Sequence, residues 1–261
     1  MSTQRGVLEL DDYLSALDTE RELFVVAIAA AGPDAPIPSC PEWTMRDLVH
    51  HQGDVHRWAA VIVGDRIAKP SAIPEDYLGP VPSDSELADW LGTGIDELIA
   101  VLRSAEPDMH CFTFLADPPR PVLFWARRQL HETGIHRVDA QCTGSHISAF
   151  SAPVAADGID ELLTGFAPRK HTPLHSDPPV TLVVALHDAP GVWHTTISDA
   201  PPVTVSLAVG EDRPAADCTL AGSASDIHTA LWNRQGLEHL SITGDASVLD
   251  LLRNNVHLRG R

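Results

Sequence analysis

Thr44-Met45-Arg46-Asp47-Leu48-Val49-His50-His51-Gln52-Gly53-Asp54-Val55-His56-Arg57-Trp58 opens a helix. Thr44, with an acid three residues on, has the form of a capping box, in which the hydroxyl and the carboxylate each satisfy an orphan backbone N–H. Trp43 stands one residue before the cap, where a side chain can staple onto Leu48. Leu48, His51, Val55, Trp58 and Ile62 recur at three- and four-residue steps, and Gly64 ends the segment. That stripe predicts an inward-facing His51. His50 and Asp54 fall off it and read as a solvated pair.

Working outward, the same periodicity marks a first helix from Leu10 to Ala31 with Leu10, Leu14, Leu17, Phe24 and Ile28 inward, stopped by Gly32-Pro33. Ser83 and Glu86 cap a third helix carrying Leu87, Leu91, Ile95, Leu98 and Leu102. A fourth covers residues 122–142. The proline-rich stretches between them predict long crossovers. Ala156 to Leu163 reads as a short helix start, and Pro168, Pro173, Pro178 and Pro179 as a linker. Beyond it lie strands at Val180–Leu186, Val192–Ile197 and Val203–Val209, a helix capped by Ser223, a short strand at Leu240–Thr243 and a last helix at Ala246–Asn255. The expected architecture is an α+β multidomain protein: a four-helix bundle over residues 1–165, then a smaller α+β domain over residues 166–261.

Composition narrows the function. Eighteen basic against 36 acidic residues give a formal charge of −18, which excludes a general nucleic-acid binder. No apolar run approaches the roughly 20 residues that span a bilayer, and the start of the chain lacks a signal-peptide pattern, so a cytoplasmic protein without membrane partners is expected. Cys40, Cys111, Cys142 and Cys218 are too scattered for a disulfide framework or a cysteine-rich zinc site. Cys40 reads as packing. The 14 histidines direct attention to metal ligands instead.

On the fourth helix Arg128, Glu132, His136 and Asp139 share one narrow sector. The string His131-Glu132-Thr133-Gly134-Ile135-His136 has one residue too many for H-E-x-x-H; five steps of about 100° put the two histidines roughly 140° apart, so they cannot chelate together. Glu132 and His136, one turn apart, can converge with an inward His51 from the second helix, as bundle interiors build metal sites from facing helices. Read alone, each of these residues is equally a satisfied core histidine or half of a surface ion pair. Two imidazoles and a carboxylate suit Zn²⁺ with an open fourth position, and also Fe²⁺ in a facial triad.

Several motifs carry a resemblance. Ser39-Cys40-Pro41-Glu42-Trp43-Thr44, Asp47-Leu48-Val49-His50-His51, Val55-His56-Arg57-Trp58, Glu132-x3-His136-Arg137-Val138-Asp139-Ala140 and Ala156-Asp157-Gly158-Ile159-Asp160-Glu161-Leu162-Leu163 resemble the mycothiol-dependent maleylpyruvate isomerase family, within the DinB-like helical bundles. Gly222-Ser223-Ala224-Ser225-Asp226, Ala230-Leu231-Trp232-Asn233-Arg234 and Gly244-Asp245 resemble its sterol-carrier-like C-terminal domain. The resemblance implies a divalent metal, usually zinc, on His51, Glu132 and His136, and an arginine, matched by Arg234, that helps bind thiol or substrate. Gln52 departs from the small-His-Leu pattern of relatives. A metal-dependent enzyme with mycothiol as nucleophile is implied, acting on a small electrophilic or unsaturated acid as isomerase or S-transferase; Arg234 or Arg128 could pair a substrate carboxylate. The competing expectation is a metal- or small-molecule-binding accessory or sensor protein without catalysis.

Overall fold

A computed structural model describes residues 8–115, 118–208, 211 and 214–256. The chain forms two compact units divided between Ser148 and Ala149. The first holds four long helices: α1 (Leu10–Ala31), α2 (Met45–Gly64), α3 (Leu87–Ser104) and α4 (Pro121–Gln141). α1 and α2 each pack against both α3 and α4, which closes a ring of four helices around one core.

The apolar stripes explain why the helices pack. Leu14, Leu17, Phe24 and Ile28 of α1 are buried, as are Leu87, Leu91, Ile95, Leu98 and Leu102 of α3; each such side chain contributes about 1.5–3 kcal/mol by leaving water. α1 stops at Gly32, whose φ of 80° is in the left-handed region and whose N–H still reaches the Ile28 carbonyl. The Thr44/Asp47 and Ser83/Glu86 capping boxes both form, the latter on a 3-10 turn (Asp84–Glu86) that leads into α3. On α1 the apolar pattern skips from Leu17 to Phe24. The gap is filled by Glu20, itself buried, which accepts from Arg137 Nε of α4 at 2.7 Å.

α4 is buried on nearly every side, from Val122 to Ala140. The sector Arg128–Asp139 is therefore no exposed ion-paired face but part of the bundle interior.

The burial of α2 departs from the predicted stripe. Its deepest line is Leu48, Gln52, His56, Ala59 and Val63, and His51, Val55 and Trp58 lie only half buried beside it. The rotation follows from α2 packing on α3 and α4 together, which widens the buried arc and recentres it by about one residue. His51 ends at the edge of that arc. Nor are His50 and Asp54 a solvated pair: the Tyr77 hydroxyl, from the long crossover, donates to Asp54, and the His50 ring lies edge-on to Trp90 with centroids 6.1 Å apart.

The loop between α1 and α2 is tightly folded. Pro36 bridges Thr44, Ile37 N–H bonds the Trp43 carbonyl at 2.9 Å and Trp43 N–H the Cys40 carbonyl at 2.8 Å, while fully buried Ile37 anchors the loop to the core. This construction fixes Ser39 and Trp43.

In the second unit α5 (Ala152–Asp160) begins four residues before the expected start, because Ser151 and Pro153 form a favourable helix entry. It runs on in wider π turns through Phe166 and packs against α6 (Ala224–Leu231), so it belongs with the C-terminal unit. The sheet has the order β3-β2-β1-β4-β5, with β1 (Val180–Leu186) and β4 (Cys218–Gly222) parallel and the other pairs antiparallel. β2 spans Val192–Ile197, β3 Val203–Ser206 and β5 Ser241–Gly244, and α7 spans Ala246–Asn255. β3 ends at Ser206, short of the expected Val209: Leu207 and Ala208 lie outside the strand, and Val209 lies outside the described residues. β4 was not foreseen: five residues ending in Ala-Gly carry little strand signal, and its place comes from the partners β1 and β5 on either side.

Candidate metal centre

One nitrogen or oxygen from each of His51, Glu132 and His136 lies within 4.8 Å of the others, and this is the one such cluster of potential ligands among the described residues. His136 Nε2 lies 3.3 Å and His51 Nε2 3.8 Å from the same oxygen, Glu132 Oε1. The two imidazoles meet nearly edge to face, with centroids 5.1 Å apart. α4 supplies Glu132 and His136 from successive turns; α2 supplies His51 from the margin of its buried arc. Side-chain exposures of 14%, 23% and 9% leave the trio largely screened from bulk water.

The neighbours hold these groups in place. Arg128 Nη2 donates to Glu132 Oε2 at 3.1 Å, occupying the oxygen that faces away from the imidazoles. His136 Nδ1 lies 2.9 Å from Asp139 Oδ2, and Ser39 Oγ donates to Asp139 Oδ1 at 2.5 Å. Trp43, whose ring was expected to staple onto Leu48, packs 5.0 Å from the His51 ring and 6.3 Å from the His136 ring.

Electrostatics follow from this crowding. Burial favours a neutral Glu132, but the His136 and His51 imidazoles and the Arg128 charge outweigh it and hold the carboxyl well below its usual range. Burial likewise opposes a charged His136, yet Asp139 and Glu132 overcome it and push the imidazole up to about 9.

Do these residues fit a metal ion? His51 Nε2 is buried without a hydrogen-bond partner although it faces a carboxylate oxygen. A buried polar atom left in that state costs about 1–3 kcal/mol, which coordination to a cation would remove. The donor set of two imidazoles and one carboxylate matches zinc with a vacant corner, and ferrous iron as well. The residues fit.

Behind the trio lies a second polar group that sequence reading missed. Fully buried His56 places Nε2 2.8 Å from Gln52 Nε2 and 2.9 Å from Thr133 Oγ1. Desolvation, then the nearby Arg57 charge, lowers the His56 imidazole to about 3, so it is neutral at physiological pH. The i,i+4 spacing of Gln52 and His56 was the available signal. His131 is buried too but is not one of the converging donors, as the five-residue spacing requires. Arg234 lies in the other unit, where its Nη1 donates to the Trp232 carbonyl at 2.8 Å.

Fold and site together define a two-unit protein: a helical bundle with a three-donor candidate metal centre, followed by a five-stranded α+β unit. The chain belongs to the mycothiol-dependent maleylpyruvate isomerase family: residues 14–141 match the mycothiol maleylpyruvate isomerase N-terminal domain, and residues 153–251 the corresponding C-terminal domain. Among solved structures it is similar to a mycothiol-dependent maleylpyruvate isomerase, with a TM-score of 0.60 at 13% identity over 93% of this chain and 96% of that one. A histidine-to-alanine mutant of such an isomerase matches with a TM-score of 0.58, also at 13% identity and with the same coverage. At that identity the likeness is one of fold. No curated protein sequence matches the chain. Among the described residues no helix is long and apolar enough to cross a membrane.

Proposed function

We propose that this chain is a metal-dependent enzyme whose nucleophile is a low-molecular-weight thiol, mycothiol by family membership, acting on a small electrophilic or unsaturated acid. The observation that carries the reading is the convergence of His51, Glu132 and His136 within 4.8 Å around a buried, unpartnered His51 Nε2. His51 and His136 would offer ring lone pairs and Glu132 its Oε1 to Zn²⁺, with Fe²⁺ the alternative the same donors accept. A bound Zn²⁺ would supply the acidity that strips the proton from a coordinating thiol.

The remaining tasks fall to the protein. Arg128, held against Glu132, orients that carboxylate, and Trp43 forms a dry wall beside both imidazoles. Arg234, the arginine that family resemblance singles out, is assigned to pair a carboxylate of the substrate or the thiol. In an isomerase the thiolate adds to a cis double bond, the resulting single bond rotates, and the electron pair left on the neighbouring carbon re-forms the double bond as the thiolate leaves; in a transferase the carbon–sulfur bond persists, the electron pair being taken up by a proton or carried off by a leaving group. Four cysteines scattered without the spacing of a disulfide framework favour a cytoplasmic setting.

Zinc-loaded protein with a thiol should convert a cis α,β-unsaturated acid faster than the thiol in buffer does: an isomerase gives the trans acid with the thiol unspent, a transferase gives the thioether adduct and consumes one thiol per turnover. Neither isomerisation nor adduct formation above the buffer rate, with zinc bound, would instead assign a non-catalytic metal-binding role.

A further inference from the structure

Ser39 opens the Ser39–Thr44 motif, of which the proposed chemistry uses Trp43 but leaves Ser39 without a task. Its hydroxyl donates to Asp139 Oδ1, and the other oxygen of that carboxylate, Oδ2, lies 2.9 Å from His136 Nδ1. Each ring nitrogen of His136 faces a carboxylate oxygen, but Asp139 Oδ2 stands at 2.9 Å from Nδ1 and Glu132 Oε1 at 3.3 Å from Nε2, with the Glu132 charge already shared with Arg128, so the single proton of the neutral ring resides on Nδ1. In the neutral imidazole this leaves the lone pair on Nε2, the atom 3.3 Å from Glu132 Oε1. Asp139 is fully buried and reaches His136 from one turn further along α4, whereas Ser39 comes from the loop that Ile37 pins to the core. Two separately folded segments thus decide which ring nitrogen points at the candidate metal centre.

We propose that Ser39 and Asp139 are a positioning pair that fixes His136 as the Nδ1–H tautomer and thereby sets the metal affinity of the site. The inference rests on the metal reading, yet half of it is independent of any metal. Asp139 holds the ring; Ser39 holds Asp139 and stops it from turning toward another donor. Residues in this position behind a ligating histidine change metal affinity by about 10–100-fold when altered.

Two measurements test the pair. In metal-free protein at a pH where His136 is neutral, ¹⁵N chemical shifts should report an Nδ1–H ring in the wild type. Asp139→Asn, whose amide can donate to Nδ1, should shift it toward the Nε2–H form. In competition with a chromophoric zinc chelator, Asp139→Asn should bind zinc about 10–100-fold more weakly. Ser39→Ala should lose roughly two- to tenfold, the equivalent of one hydrogen bond, and Ser39→Thr, which keeps the hydroxyl, should restore wild-type affinity. Thermal melts identify any variant that has merely unfolded. An Nε2–H ring in the wild type overturns the proposal whatever the protein does with zinc, and so do unchanged affinities in both Asp139→Asn and Ser39→Ala. An Nδ1–H ring in a wild-type protein that binds no metal overturns the metal reading and the affinity role with it, while leaving the tautomer assignment standing.

Discussion

Arg128 Nη2 and Glu132 Oε2 meet at 3.1 Å one turn apart on α4, with the Arg128 side chain only 4% exposed. The pair divides the carboxylate between two duties: one oxygen is tied to the guanidinium, the other faces both imidazoles. Replacing Arg128 by Met keeps the stem and removes the donors, freeing Glu132 to turn. Zinc affinity is then expected to fall about 10–100-fold, as measured by chelator competition. An unchanged affinity would remove Arg128 from the site's supporting structure.

Zinc binding should be strongly pH-dependent. A ligating imidazole must be neutral, and His136 holds its proton up to about 9 because Asp139 and Glu132 outweigh the effect of burial. Its pKa is raised, so in metal-free protein the charged ring adds stability that is complete below about pH 6.5 and disappears as pH rises through about 9. Zinc must displace that proton. Apparent affinity should therefore climb by up to about tenfold per pH unit from pH 7 to 9, where an ordinary imidazole would already have levelled off. A flat profile over that interval would contradict the electrostatic description.

His56 gives the opposite sign. Desolvation depresses its imidazole to about 3, so the unfolded chain takes up a proton near 6.5 that the folded chain refuses. Stability is complete above about 6.5 and is lost as pH falls toward about 3, by up to about 1.4 kcal/mol per unit from this group. Urea unfolding at pH 7 and pH 5 should show that slope in the wild type and a shallower one in His56→Gln. Equal slopes would mean that His56 does not stay neutral in the folded protein.

The Glu20–Arg137 pair joins α1 to α4 at 2.7 Å with both groups buried. Glu20→Gln removes the carboxylate charge that faces the guanidinium, while Gln141 and Ser148 still bind it. The expected loss is about 3–5 kcal/mol in urea unfolding; a loss below about 1 kcal/mol would show that those two partners suffice.

Much of this was readable from the chain because the signals were local. Capping boxes at Thr44 and Ser83, and stripes such as Leu87–Leu102, are set by side chains within a turn of one another, and they located the first three bundle helices; the fourth, buried on nearly every side, has no stripe to show. Glu132 and His136 were legible because they too stand one turn apart. His51 was selected from a stripe that the structure rotates: the reading arrived at a residue beside the carboxylate, but by placing it deeper than it lies. Gln52 and His56 carried a local signal in their i,i+4 spacing, but Thr133 was hidden because its partners are on another helix, and no periodicity announces a polar residue that another helix will satisfy. Ser39 and Asp139 stand 100 residues apart in sequence. β4 escaped for a related reason, since its strand character comes from its neighbours in the sheet.

The central claim is that three side chains from two helices hold one metal ion. Equilibrium dialysis against zinc followed by elemental analysis tests it directly, with His51→Ala, Glu132→Gln and His136→Ala run beside the wild type. About one zinc per chain in the wild type, and nearly none in His136→Ala while its melting profile shows it folded, is the expected result. Stoichiometric zinc retained in His136→Ala, or none in the wild type, would contradict the account.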